Sequence, residues 1–262
     1  MGFMDLFNRG PLSEKKIEKI TKLACNPFAQ PDVRVREMQR LLAEGTPTAL
    51  RAALKRFAAN AHGGIADEEE KEWLTEKLLA LGEPIVEPLE HYIQSQKQLS
   101  HALQTYEQLV GKDAATEFLL GTLEKFGPES HREDEAKKQI ILHLAEGLDR
   151  LDELERLAPF LFDHSDDVRW TVLDIFEQWV ERGLLADKEV MKTWSKQFAD
   201  LVVDPYTAPR ILNKVLSIVE NGEIRFEGAA VILPDSLEDT FFIDKKGYLR
   251  RRVKSVKQSG KK

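Results

Sequence analysis

The sequence predicts an all-α chain: an α-solenoid of about six helical hairpins with a small β-containing C-terminal extension. Three observations predict it. First, a helical segment rich in Leu, Val or Trp ends at a glycine six times, at Gly45, Gly82, Gly111, Gly147, Gly183 and Gly222, with intervals of 37, 29, 36, 36 and 39 residues. Glycine past the last helical turn is a common stop because it enters the left-handed region without a Cβ clash, and a period near 35 residues accommodates one helix–turn–helix unit. Second, Val168, Val172, Ile175, Phe176, Trp179 and Val180 fall on one helical face, while Trp170 and Leu173 lie off it. A helix apolar on more than one side needs cover from its hairpin partner and from a neighbouring hairpin. Third, the pattern changes after Gly222. Ile224-Arg225-Phe226, Ala230 to Leu233 and Thr240 to Ile243 are short β-prone runs, and Lys245-Lys246-Gly247 before Tyr248-Leu249 has hairpin chemistry.

Taken in order, residues 1–12 form a lead containing Phe3, Met4, Leu6 and Phe7, expected to lie over the open end of the first helix pair. Residues 13–222 carry the repeats. The first pairs Ser13 to Ala24 with Asp32 to Glu44. In the second, a helix over Thr46 to Ala59 is followed by a glycine-containing loop and by Asp67-Glu68-Glu69-Glu70, where Asp67 and Glu70 have capping-box spacing and predict a solvated helix start leading to Leu81. The third opens at Gly82 to Leu89, with Pro84 suited to a first helical turn. The fourth pairs Ala114 to Lys125 with Glu133 to Glu146. The fifth places Leu151, Leu154, Leu157 and Leu161 ahead of the turn at Asp163 to Arg169, whose Asp163, Ser165 and Asp166 suit a helix N-terminus. The sixth runs from Met191 to Val202, breaks at Asp204-Pro205, and ends on a helix from Thr207 to Glu220. Residues 223–253 are read as a capping element and 254–262 as a basic, disordered tail.

Three phrases carry a family resemblance. Asp163-His164-Ser165-Asp166-Asp167-Val168-Arg169 resembles the turn between the two helices of a HEAT repeat. Pro31-Asp32-Val33-Arg34 repeats the Asp-Val-Arg 135 residues earlier, and Gly82 to Leu89 looks like the first helix of such a unit. The resemblance covers about residues 13–222. It implies a scaffold or adaptor that binds a protein partner on a concave face of second helices, with Asp167 and Arg169 tying adjacent units together.

Charge is distributed unevenly. Residues 245–262 carry nine Lys or Arg and no acid, whereas the first 244 residues hold 29 basic and 45 acidic side chains and sum to −16. An acidic body argues against a long nucleic-acid groove, since binding there rests on neutralising phosphates. A basic tail keeps open a nucleic-acid association through the C-terminal segment, with Lys245, Lys246, Tyr248, Arg250, Arg251 and Arg252 as candidate contacts alongside Trp170. It could equally fold back on the acidic body, and removing residues 250–262 is expected to leave the thermal transition nearly intact. The single Cys25 reads as a small buried residue. No stretch approaches the ~20 apolar residues that span a bilayer, and with no signal-peptide pattern the expectation is a cytoplasmic protein.

No catalytic residue, metal ligand set or cofactor motif is assigned. HEAT-repeat hydroxylases hold iron with His-Glu dipeptides, and none of the six histidines here precedes Glu; all six read as isolated surface or loop residues. A HEAT-like glycosylase for alkylated bases would need an aromatic wall, a carboxylate and a basic groove. Trp170, Asp174 and Arg169 are the residues available for that less favoured role.

Overall fold

The computed structural model describes residues 11–185, 188–226 and 231–252. The chain is mostly helical and divides into two compact units, one ending at Arg156 and the other starting at Leu157.

In the first unit the predicted helices form close to their expected limits. α1 (Glu14–Ala24) buries Ile17, Ile20, Thr21 and Ala24, a single face at helical spacing. α2 (Pro31–Glu44) starts on a proline whose fixed φ suits the first turn, and stops at Gly45 with φ +67°. α3 (Pro47–Leu54) is capped by Thr46, whose hydroxyl accepts from the Ala49 N–H, and continues as a 3-10 turn over Lys55–Ala58. Then follow α4 (Gly64–Leu81), a 3-10 turn over Glu83–Ile85, α5 (Val86–Ser95), α6 (Ser100–Val110), α7 (Lys112–Phe126) and α8 (Asp134–Ala145). α9 (Leu151–Leu157) closes the unit.

Helix contacts in this unit follow two series. α1 touches α3 and α3 touches α5, while α2 touches α4, α4 touches α6 and α6 touches α8. Hairpin partners also meet, α1 with α2, α5 with α6, and α7 with α8. Leu41, Leu50, Leu74, Leu89, Leu103, Leu119 and Ile140 are buried along these contacts, each stabilising the unit by about 1.5–3 kcal/mol through apolar surface removed from water.

The second unit contains a 3-10 turn over Ala158–Phe162, α10 (Asp166–Glu181), α11 (Lys188–Val203) and α12 (Pro209–Asn221). α10 packs on α12 and α12 on α11. Phe176 meets Trp194 and Phe198 edge-on, with centroids 4.6 and 5.7 Å away, and these rings fill the interior. A helical turn, α13 (Asp235–Glu238), precedes a two-stranded antiparallel ribbon of β1 (Phe241–Ile243) and β2 (Leu249–Arg251), in which Phe241 pairs with Arg251 and Ile243 with Leu249. Asp244 accepts from the Lys246 and Tyr248 N–H groups and fixes the turn. Gly247 sits there at φ +90°, where an added Cβ would lie 2.6 Å from the Phe226 carbonyl oxygen.

Several expectations are corrected. Of the six glycine stops, Gly45, Gly82, Gly111 and Gly183 take positive φ, but Gly147 and Gly222 do not. Gly222 serves close packing instead of a left-handed turn: a Cβ there would stand 2.9 Å from Val180 Cγ1. α4 begins three residues ahead of Asp67, so Asp67 and Glu70 lie inside the helix and are buried, which overturns the solvated helix start. Among the described residues nothing pairs with Val231 to Leu233, which is not a strand, and the α13 turn after it was not expected. Asp163 caps its own turn by accepting from the Ser165 N–H, while the Ser165 side chain makes no cap bond. Residues 1–10 and 253–262, and Ala230, lie outside the described residues.

Candidate interaction surface

Polar side chains link residues 36 to 43 positions apart in the chain. Arg34 donates to Glu70 and back to the Ala29 carbonyl. Arg169, its counterpart in the second Asp-Val-Arg, donates to the Leu161 carbonyl at 3.1 Å and to Thr207 Oγ1 at 3.3 Å. Each arginine therefore holds a carbonyl of its own turn and reaches a residue 36 or 38 positions ahead. Further links of this reach are Arg51–Glu87, Lys112–Asp149, Arg210–Asp167 and Lys214–Glu177. Asp167 and Arg169 of α10 reach Arg210 of α12 and Thr207 just ahead of it.

Beneath the first two turns lies a buried ionic cluster. Arg56 donates to Asp67 Oδ1 at 2.6 Å, to Glu70 Oε2 at 2.9 Å and to the Ala59 carbonyl at 2.6 Å. Lys71 Nζ is 2.7 Å from Asp67 Oδ2, and the Ala61 N–H donates to Asp67 Oδ1. Burial by itself would raise the Asp67 carboxyl, but Lys71, the Ala61 N–H and Arg56 outweigh it and hold it at about 2. Burial likewise opposes ionisation of Glu70, and the Arg34 and Arg56 guanidiniums win, keeping its carboxyl below the usual range. Sequence reading missed this cluster because five charges in a polar run look solvated. The available signal was the 36-residue separation of Arg34 and Glu70, which matches the glycine period.

The second helices of the first unit expose a mixed, centrally acidic surface. α4 presents Glu68, Glu69, Glu72 and Glu76 with Lys77, and α2 presents Arg36 and Arg40. Arg40 is tied to the buried Glu37. Between neighbouring second helices, the Glu68 and Glu107 carboxylates lie 3.1 Å from His101 Nε2 and 2.6 Å from His143 Nε2. His101 also stacks on Phe57 at 5.3 Å. These two histidines are half-buried, helical and paired, which corrects their reading as isolated surface or loop residues. Cys25 is half-buried, and burial pushes its thiol up.

Trp170 is 36% exposed, and Lys214 Nζ of α12 lies 5.1 Å from its ring centroid. Lys214 also meets Asp174 at 2.7 Å and Glu177. Desolvation opposes its charge, but the two carboxylates prevail and raise it above the usual lysine range. Trp170 and Asp174 thus do come together, around a cation rather than around a pocket. Arg169 is buried and directed to Leu161 and Thr207, which withdraws it from the three-residue glycosylase arrangement.

The C-terminal arginines lie on or just after β2 and contact their own chain. Arg250 pairs with Asp244 and lies over Tyr248; Arg251 pairs with Glu220 at 2.8 Å and lies over Phe241; Arg252 donates to the Glu238 carbonyl and lies over Phe242. Lys245 and Lys246 are exposed in the turn. Residues 250 and 251 belong to the β1–β2 ribbon, so removing residues 250–262 takes away part of that pairing.

No helix among the described residues is long and apolar enough to cross a membrane. Comparison with protein-family models, with curated proteins and with solved structures finds no match to this chain.

Proposed function

We propose that this protein is a non-catalytic, cytoplasmic interaction scaffold: a HEAT-like α-solenoid that binds a protein partner on the face formed by its second helices. The observation that carries this reading is the exposed surface of those helices. Among the described residues of α2, α4, α6 and α8 the largest group of like charges is acidic, Glu68, Glu69, Glu72 and Glu76 on α4, and no basic row runs from helix to helix. Such a surface favours a basic protein segment and repels a phosphate backbone. Support for the array comes from the contacts between alternate helices and the one-repeat links through Arg34 and Arg169, since a stacked repeat protein is held by nearest-neighbour interfaces.

The nucleic-acid alternative rests on Lys245 and Lys246, because Arg250, Arg251 and Arg252 already engage groups of this chain. One experiment separates the two readings. Partners captured and cross-linked to the purified protein should be lost, by roughly tenfold or more, in the triple variant Glu68→Lys/Glu72→Lys/Glu76→Lys, with an unchanged circular dichroism spectrum. Capture that ignores this triple change, or nucleic acid whose binding falls with salt and requires Lys245 and Lys246, overturns the proposal.

A further inference from the structure

We propose that Phe28 and Ile65 form an apolar anchor at one end of the acidic face of α4, and that the partner is a basic helical segment carrying a large apolar side chain at its matching end. This rests on the scaffold reading above and names the chemistry of its partner. Among the described residues of the first unit, three large apolar side chains stand exposed: Phe28 at 79%, Ile65 at 81% and Leu142 at 51%. Leu142 belongs to α8, which packs on α6 and α7. Phe28 and Ile65 instead flank one residue, His62. Its ring lies 5.1 Å from the Phe28 ring, and Ile65 follows it by three residues, a span of at most about 11 Å.

Solitary exposed apolar residues are ordinary; these two differ in how they are held. Asn26 Oδ1 accepts from the Phe28 N–H at 2.9 Å, and the buried Arg34 donates to the carbonyl of the next residue, Ala29. Arg56 donates to the Ala59 carbonyl at 2.6 Å, and Asp67 Oδ1 accepts from the Ala61 N–H at 2.8 Å, which ties the loop carrying His62 to the start of α4. Arg34, Arg56 and Asp67 all belong to the ionic cluster around Glu70. One buried cluster therefore holds both turns with their apolar side chains outward, and a surface fixed in advance loses little freedom on binding. The charge beside the patch selects the occupant. Ile65, Glu68, Glu69, Glu72 and Glu76 are spaced i, i+3, i+4, i+7 and i+11, and all five are exposed on one face of α4, while Asp67, Glu70, Lys71, Leu74 and Leu78 are buried on the other. The exposed cations of α2, Arg36 and Arg40, both lean on the buried Glu37. The stripe from Ile65 to Glu76 is about 16 Å long. A partner helix of about three turns, with Lys or Arg at the same spacing and a large apolar residue one turn beyond, would meet the carboxylates and the anchor together.

Two fluorescein-labelled helical peptides of lysine and alanine test this against the whole chain by fluorescence anisotropy, one ending in two leucines and the other with serines in their place. The leucine peptide should bind roughly fivefold tighter or more. Phe28→Ser/Ile65→Ser should erase that difference and leave the affinity of the serine peptide within about twofold, whereas Leu142→Ser should keep the difference. These changes fall on exposed side chains and should leave the thermal midpoint in place. Equal affinity of the two peptides for the parent, or a leucine gain that survives Phe28→Ser/Ile65→Ser, overturns the anchor; the acidic-face reading still stands if Glu68→Lys/Glu72→Lys/Glu76→Lys weakens both peptides. Binding that ignores that triple change, or no binding of either peptide, overturns both. Self-association of the parent that Phe28→Ser/Ile65→Ser abolishes would identify a second copy as the occupant and likewise overturns the proposal.

Discussion

Arg34 and Glu70 face each other as a buried, bidentate pair, Nε to Oε2 at 2.9 Å and Nη2 to Oε1 at 2.5 Å, although 36 residues separate them. The pair joins α2 to α4, and the same carboxylate accepts from Arg56. Removing one member of such a pair strands the other charges out of water. Glu70→Ala should therefore cost about 3–5 kcal/mol, read as a lower urea midpoint at an unchanged slope. Arg34→Met/Glu70→Leu should cost less than the single change. A single-variant loss below about 1 kcal/mol would mean that the cluster is hydrated.

Asp67 gives the cluster a pH signature. Its carboxyl is held at about 2 in the folded chain against an ordinary 3.8. A depressed folded value contributes stability that is present above the ordinary value and is lost as pH falls through the folded one. The unfolding free energy should accordingly fall between about pH 4 and pH 2 by an amount on the order of 2 kcal/mol from this residue, and the thermal midpoint should fall with it. Asp67→Asn, less stable at pH 7, should show a shallower drop over the same window; parallel curves would contradict the assignment.

In the second unit, Arg169 clasps Leu161 and Thr207. Arg169→Ala should cost about 2–3 kcal/mol and Thr207→Val about 1 kcal/mol. A double-mutant cycle should return a coupling of about 0.5–1.5 kcal/mol, and a coupling of zero would remove Thr207 from the clasp.

Trp170 carries a different expectation, because its ring is covered from one side by Lys214. Trp170→Ala should cost about 1 kcal/mol and should leave near-ultraviolet signals from the buried Trp194 unchanged. A loss of about 3–5 kcal/mol would identify Trp170 as a core residue and strike it from the possible contacts.

At the C-terminal ribbon, Gly247→Ala places a Cβ against the Phe226 carbonyl in a backbone region that disfavours side chains. The strain should be about 1–3 kcal/mol and local. Hydrogen exchange at the Phe226 and Asp244 amides, both bonded across this turn, should accelerate while α10 amides keep their protection. Uniform acceleration would show that the ribbon is part of the global unit.

Much of the fold was legible because helices announce themselves locally. Apolar spacing, a proline at the start of α2 or α12, and glycine at the end of α2, α4, α6 and α10 are consequences of backbone geometry that act within a few residues. The β1–β2 ribbon was legible for the same reason, since Lys246-Gly247 marks its turn. The sequence by itself determined the predominance and order of the helices and the contrast between an acidic body and a basic end. Only the tertiary structure decided which charges leave the solvent. Asp67 and Glu70 read as a wet helix start until Arg34, Arg56 and Lys71 converge on them, and Arg251 reads as a free cation until Glu220 comes beside it. The physical reason is that a charge's environment is set by partners tens of residues away, a distance over which apolar periodicity carries no information.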